Sequence, residues 1–101
     1  MKFTIINIPQ VTEDLQAIVD FYTEISPKLP KQFIQQLRFG VRQILKTPYG
    51  YQVKYNNVRT LLIHQFPYHI HYYIDEKLTQ IVVLAVIHSY RKPQDYSKRT
   101  L

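Results

Sequence analysis

The 101-residue sequence predicts an α+β fold in the order β-α-α-β-β-β, with a helical hairpin packed on a small, mainly antiparallel sheet. Three observations predict it. The stretch from Val58 to Pro93 has the composition and period of three consecutive strands, two helical stripes of apolar residues precede it, and the turns between the strands are short. A chain of this length holds one core, so we expect a single domain spanning residues 1–101.

The strand prediction depends on alternation of side chains. Along the stretch that begins at Tyr68, two sets of residues should point to opposite faces of the sheet: Tyr68, Ile70, Tyr72 and Ile74 against His69, His71, Tyr73 and Asp75. The apolar run from Ile81 to Ile87 suits a central strand that is covered, at least in part, on both sides. Because the turns are too short for crossovers, neighbouring strands should be antiparallel.

A first helix is predicted to open at Thr12, whose hydroxyl would cap it, with Glu13 and Asp14 in its first turn. It should end at Ser26, because a residue before proline is disfavoured in the α region. Its apolar positions recur every three or four residues and form one stripe: Val11, Leu15, Ile18, Tyr22 and Ile25.

A second helix is predicted from about Leu29 to Lys46, close enough to the first to form an antiparallel hairpin. Its buried stripe should contain Phe33, Ile34, Leu37, Val41, Ile44 and Leu45. Gly40 in the middle costs about 1 kcal/mol relative to alanine, which indicates a close approach of a neighbouring element there.

Three segments remain. Lys2 to Ile8 is predicted to be a short strand ended by Pro9, and Pro48 to Asn57 a loop with turn residues at both ends. We expect that loop to bring tyrosines and Lys54 to the edge of the sheet. Pro93 to Leu101 has the character of a loose tail.

Composition excludes several classes of protein. The chain has no cysteine, which rules out disulfides and thiolate metal sites. No apolar run reaches the roughly 18 residues of a membrane helix, and MKFTIINIPQ lacks the apolar core of a signal peptide. We therefore expect a cytoplasmic protein with no membrane partner.

Charge is unevenly distributed. The formal net charge is +6, and no Asp or Glu occurs from Ile25 to Ile74, where seven basic residues fall: Lys28, Lys31, Arg38, Arg42, Lys46, Lys54 and Arg59. This asymmetry favours a polyanionic partner, either nucleic acid or an acidic protein. The alternative interpretation is a basic surface that is merely solvated.

Five stretches in this order resemble the RelE/ParE superfamily of bacterial type II toxins, also called plasmid-stabilisation proteins: DLQAIVDFY, SPKLPKQFIQQL, TPYGYQV, VRTLLIHQFPYHIHYYID and VLAVIHSYRKP. Together they span about Thr12 to Pro93, which is nearly the whole domain. The resemblance implies a small toxin that a partner antitoxin neutralises. RelE-like members cleave mRNA, usually on the ribosome, whereas ParE-like members poison DNA gyrase.

Cleavage of RNA without a metal needs groups that move protons and cations that stabilise a charged phosphorane. The resemblance implies that Arg59, His88 and Arg91 supply them, with Arg59 as a phosphate clamp and Arg91 as a substrate contact. His88 is the best acid or base, since imidazole titrates near neutrality. Tyr90 is the fourth predicted catalytic residue, for proton transfer or stacking on a base. The predicted nucleic-acid contacts are Lys54, Arg38, Arg42, Lys46, Lys92 and Tyr96.

Each residue also has a structural interpretation. His88 could cap a carbonyl or contact the antitoxin, Arg59 could form an ordinary ion pair, and Tyr90 or Tyr96 could close the edge of the core. The acid-free stretch excludes the carboxylate base that some related nucleases take from the second helix or the loop after it.

We predict neither a metal nor another cofactor. His64, His69 and His71 could approach one another, but no fourth zinc ligand is indicated, and packing between tyrosines explains them better. The sequence thus favours a toxin that cleaves mRNA at the ribosome and is bound by an acidic antitoxin. A gyrase poison and a non-catalytic basic binding module on the same fold are the alternatives.

Overall fold

The computed structural model describes residues 2–99 of the chain. Within that range the strands and helices are β1 (Thr4–Asn7), α1 (Pro9–Ile25), α2 (Lys28–Lys46), β2 (Val53–Tyr55), β3 (Val58–Leu62), β4 (Tyr68–Asp75) and β5 (Gln80–His88). Two short 3₁₀ turns, Pro48–Gly50 and Tyr96–Lys98, complete the described chain. No helix in the described range is long and apolar enough to cross a membrane.

The five strands form one sheet in the order β1-β5-β4-β3-β2. β1 runs parallel to β5, and the other three pairs are antiparallel. Both helices cover the same face, since they pack against each other while α1 contacts β5 and α2 contacts β3. The predicted α+β class, with a helical hairpin on a mainly antiparallel sheet, is confirmed.

The alternation predicted for β4 divides the sheet into two faces. Ile70 and Tyr72 are completely buried on the helix side, whereas His69 and His71 are only partly buried on the other, open side. Ile81 to Ile87 of β5 are all buried, as expected for an inner strand between β1 and β4. A register shift lies between His71 and Tyr72 of β4, opposite β5.

Gly40 brings α2 close to the sheet, as predicted. A Cβ at this position would lie 3.0 Å from Leu61 Cδ2 and 3.2 Å from Ile70 Cδ1, which is tighter than ordinary contact. Toward the other end of α2, four aromatic rings pack edge to face between the helices and the sheet: Tyr22, Phe33, Phe66 and Tyr68. Such a cluster combines a large apolar area with favourable ring geometry.

The predicted start of α1 at Thr12 is wrong, because the helix begins at Pro9 after an extended Ile8. Proline suits the first helical position, where its missing N–H would have no partner in any case. Asp14 therefore lies beyond the first turn. Its carboxylate accepts a hydrogen bond from the Val86 N–H at 3.1 Å instead of facing the helix terminus.

The segment from Pro48 to Asn57 is not only a loop, since it contains the edge strand β2. Asn56 and Asn57 have φ angles of 39° and 64° and join β2 to β3 through two residues. Two residues with positive φ are what a tight type I′ hairpin turn requires, and asparagine tolerates them. Strand β2 was missed because three residues carry too little periodicity to identify.

The C-terminal segment is also better anchored than a loose tail. Tyr96 is only 5% exposed, and its ring lies 5.2 Å from that of His71 on the open face. Arg99 Nη1 lies 2.7 Å from Asp14 Oδ2 and also donates to the Leu84 carbonyl at 3.0 Å. The prediction is therefore wrong for this segment up to Arg99, and Thr100 and Leu101 lie outside the described residues.

Candidate functional site

A cavity of about 320 Å³ opens on the sheet face that the helices leave uncovered. Its floor comes from β3, β4 and β5, and its walls come from β2 and the chain after β5. The lining residues are Lys54, Tyr55, Thr60, His69, His71, Ile87, His88, Ser89, Arg91, Lys92, Pro93, Gln94 and Tyr96. Basic and aromatic side chains dominate, and none of these residues is Asp or Glu.

His71 is held neutral at the floor of the cavity. Burial first, and then repulsion from Arg99 and from His69 when that ring is protonated, lowers the pKa of His71 to about 4. Tyr55 Oη lies 3.0 Å from His71 Nδ1 and accepts a hydrogen bond from the Tyr96 N–H at 3.4 Å. We assign the Tyr55 proton to the bond with Nδ1, which leaves the His71 proton on Nε2.

His69, two residues earlier on β4, has a similar environment. Burial first, and the nearby Lys54 ammonium second, lower its pKa from 6.5. Its Nδ1 lies 3.0 Å from Ser89 Oγ. Two neutral imidazoles therefore lie side by side on the cavity floor at neutral pH.

The rim carries four of the predicted site residues. Lys54, His88, Arg91 and Lys92 are all exposed around the opening. The ring of His88 lies 5.2 Å from that of Tyr68, and its Nδ1 accepts the Tyr90 N–H at 3.1 Å. The structure thus brings five predicted site residues to one cavity, Tyr96 being the fifth.

Tyr90 lies beside this group but does not line the cavity. Its side chain is 89% exposed, and its ring lies 5.7 Å from His88. A tyrosine this open to solvent is free to stack on a ligand that covers His88.

Arg59, in contrast, is not at the cavity. Its Nη1 donates to the carbonyls of Tyr51 at 2.6 Å and Tyr49 at 3.1 Å, and its guanidinium lies 5.3 Å from the Tyr49 ring. Arg59 pairs with Tyr72 of β4, whereas His88 pairs with Tyr68, which is about 13 Å further along that strand. The predicted combination of Arg59 and His88 in one site is therefore wrong, because Arg59 holds the Pro48–Gly50 turn in place.

The predicted contacts on α2 are separated from the cavity as well. Arg38, Arg42 and Lys46 are exposed on the helix layer, which covers the opposite face of the sheet. The ten predicted site residues therefore do not form one continuous surface, since α2 carries a second basic surface of its own.

Sequence reasoning assigned no site role to eight of the thirteen lining residues, and four of these form hydrogen-bonded pairs at the cavity: Tyr55 with His71, and Ser89 with His69. The alternation along β4 placed both histidines on one face, but did not show that this face is the open one. Tyr55 and Ser89 carried no signal, because their bonds to the histidines depend on β2 and on the turn after β5. No group of three or more metal-ligating side chains comes together anywhere in residues 2–99.

The chemistry available here is that of an anion site. Cations on the rim attract a phosphate or a carboxylate, and the tyrosines offer rings on which a base can stack. Neutral imidazoles can donate or accept single protons beneath such a ligand. Without a carboxylate in the lining, proton transfer would fall to His69, His71 or His88.

Residues 7–93 match the model of a protein family described as the ParE toxin of the parDE type II toxin–antitoxin system. The chain belongs to this family. It is accordingly a type II toxin of the RelE/ParE superfamily, which confirms the resemblance. Such a toxin has an antitoxin as its partner.

Solved structures agree on the fold. The chromosomal ParDE system of P. aeruginosa superposes with a TM-score of 0.74 at 20% identity, covering 86% of this chain and 96% of that one. A double arginine-to-alanine mutant of the E. coli toxin RelE in the free state gives 0.62 at 10% identity, covering 89% and 86%. The RelBE2 toxin–antitoxin complex of Mycobacterium tuberculosis gives 0.56 at 17% identity, covering 87% and 99%. No curated sequence matches this toxin significantly.

Proposed function

We propose that this toxin acts on DNA gyrase and that an acidic antitoxin neutralises it. The family match over residues 7–93 carries the proposal, because it is to ParE toxins. The similarity in fold to the ParDE system of P. aeruginosa is consistent with it. The net charge of +6 suits both a gyrase–DNA complex and an acidic antitoxin.

The position of Arg59 also favours action on DNA gyrase over cleavage of mRNA. Phosphoryl chemistry without a metal relies on cations aimed at the charge that develops on the phosphorus. Arg59 was the predicted clamp, and its Nη1 is bound to two backbone carbonyls. Cleavage of mRNA, which the sequence favoured, therefore becomes the second candidate.

The test of the first candidate is a reaction of purified toxin with DNA gyrase, ATP and relaxed plasmid. We expect loss of supercoiling and, after detergent and protease, linear DNA from trapped cleavage complexes. Addition of the antitoxin should abolish both effects. Normal supercoiling at a toxin concentration well above that of gyrase would refute the proposal.

One observation keeps mRNA cleavage as the second candidate. His88, Arg91 and Lys54 line the same cavity as two neutral histidines, which combines cations with groups that can exchange protons. If this site cleaves RNA, His88→Ala should lower the cleavage rate by about 10²–10⁴. His64→Ala is the matched control, since His64 is exposed and lies outside the cavity.

Primer extension on mRNA from induced cells separates the two candidates. Discrete cuts within codons support cleavage at the ribosome, whereas intact transcripts with a DNA-damage response support the action on gyrase. A protein that arrests no growth, yet binds nucleic acid or protein in a salt-sensitive way, would be the non-catalytic module.

A further inference from the structure

The exposed residues of α1 and α2 together form the hairpin surface, which carries two stripes of opposite charge side by side. On α1 the exposed charged residues are all acids: Glu13, Asp20 and Glu24. On α2 they are all cations: Lys28, Lys31, Arg38, Arg42 and Lys46. Each set recurs at helical spacing, so one side of the hairpin surface is negative and the other side is positive.

The two stripes do not neutralise each other within one chain. In residues 2–99 the ion pair is that of Arg99 with Asp14, and no acid of α1 is paired with a cation of α2. In a chain of net charge +6, α1 nevertheless holds four of the seven acids. Negative charge is therefore concentrated beside a positive stripe that it does not reach, and both stripes are free to pair across an interface.

Large apolar side chains are exposed on the same surface. Phe21 is 54% exposed and Ile25 is 58% exposed on α1, and Phe39 is 47% exposed on α2. A partner that covered them would remove apolar area from water, which favours association. Exposed apolar residues that are rimmed by polar ones mark interaction sites more often than chance.

The packing of the two helices shows which charges lie at the same level along the hairpin. The rings of Tyr22 and Phe33 stack with their centroids 6.2 Å apart, so these two residues are level. Because the helices are antiparallel, each step towards their connection along α1 matches one step towards it along α2. Glu24 is therefore level with Lys31.

A two-fold axis that runs along the hairpin, between its helices, makes this pattern complementary to itself. The axis places α1 of one copy antiparallel on α2 of the other and keeps every residue at its own level. Glu24 of each copy then faces Lys31 of the other, and by the same count Glu13 faces Arg42. Such an isologous interface repeats every contact twice and closes without further growth.

The size of the hairpin surface indicates a weak dimer. Helices α1 and α2 have 17 and 19 residues. At about 1.5 Å of rise per residue and about 10 Å of width per helix, the surface measures about 25 by 20 Å. Two copies would bury roughly 1,000 Å² in total, which is at the lower limit for a specific interface. The net positive charge of each copy adds a repulsion that salt screens, so we expect association in the micromolar range at moderate salt.

We propose that this toxin forms an isologous dimer through the hairpin surface, with α1 of each copy packed on α2 of the other as a four-helix bundle. The pairs of Glu24 with Lys31 and of Glu13 with Arg42 each occur twice in it. The cavity on the open face lies on the side of the sheet away from the helices, so the dimer has two cavities that open in opposite directions. This inference does not depend on whether the toxin acts on gyrase.

Two charge reversals, used singly and mixed, test the dimer. Glu24→Lys and Lys31→Glu each place like charges opposite one another, and they do so at both copies of the contact. We expect each variant alone to weaken dimerisation at least about tenfold in sedimentation equilibrium over roughly 1–200 μM protein. An equimolar mixture of the two variants should form a heterodimer with about the affinity of the wild type, because opposite charges then face each other at both contacts.

Glu76→Lys and Lys77→Glu are the matched controls. Both residues are exposed in the turn between β4 and β5, outside the hairpin surface, and each reversal changes the net charge as much as its counterpart on the hairpin. We expect their dissociation constants to stay within about threefold of that of the wild type. Circular dichroism melts establish that each variant is folded.

A wild-type toxin that remains monomeric at about 200 μM would overturn the proposal. So would folded single variants that dimerise as tightly as the wild type, or a mixture of them that stays monomeric, because the charges would then not be paired across the two-fold axis. Equal weakening by the controls would also overturn it, since net charge and not the hairpin surface would govern association. The outcome of the gyrase reaction bears on none of these results.

Discussion

Replacement of Arg59 by alanine distinguishes a structural arginine from a catalytic one. The bond to the Tyr51 carbonyl is short, at 2.6 Å, and partly buried, and a charged donor of this kind contributes about 1.5–3 kcal/mol. The exposed bond to Tyr49 and the contact with its ring each add roughly 0.5–1 kcal/mol. We therefore expect Arg59→Ala to lower the free energy of unfolding by about 2.5–5 kcal/mol.

Urea denaturation followed by circular dichroism measures this loss, and in a domain of this size the Tm should fall by roughly 10–20 °C. Arg38→Ala is the control, because Arg38 is exposed on α2 and its loss should cost less than about 0.5 kcal/mol. If Arg59→Ala were as stable as the wild type but had lost toxicity, Arg59 would be a functional contact and the structural explanation would fail.

Two further predictions concern the segments that cover the open face. Arg99→Ala should lower the free energy of unfolding, measured in urea titrations, by about 1–3 kcal/mol, because Asp14 is only 10% exposed and would lose its ion-pair partner. An unchanged midpoint of unfolding would mean that the pair contributes nothing. The pKa of His71 is about 4 in the folded protein and 6.5 in the unfolded chain. The neutral ring therefore contributes fully to the free energy of unfolding above pH 6.5, and this contribution is lost as the pH falls towards 4. Since the ring is partly exposed, we expect the free energy of unfolding to fall by about 1–2 kcal/mol across that pH interval. If His71→Gln left the dependence of stability on pH unaltered, this expectation would be wrong.

The parts of the fold that the sequence predicted are those with long periodic patterns. The stripe of α2, the alternation of β4 and the apolar run of β5 each extend over many residues, so that one ambiguous position matters little. Gly40 indicated a close approach because a glycine in mid-helix needs a compensating contact. The start of α1 was predicted too late in the chain, because a proline such as Pro9 can either end a strand or open a helix. The pairing of β1 with β5 decides between these roles, and the sequence alone does not show it.

The candidate site was only partly predictable for a different reason. His88, Arg91 and Lys92 are close in sequence, so a strand end brings them together without further information. The position of Arg59 depends on the turn that it binds, and that of Tyr96 depends on where the segment after β5 crosses the sheet. Contacts between distant parts of a chain follow from packing, which a local pattern does not encode.

The parallel pairing of β1 with β5 has a consequence for biosynthesis. Thr4 pairs with Gln80 and Asn7 with Val83, so the first strand has no neighbour in the sheet until the last one has been translated. Closing so long a loop is slow compared with forming the helical hairpin. A nascent or prematurely terminated chain therefore lacks both the completed sheet and the cationic cavity on it until synthesis has passed β5.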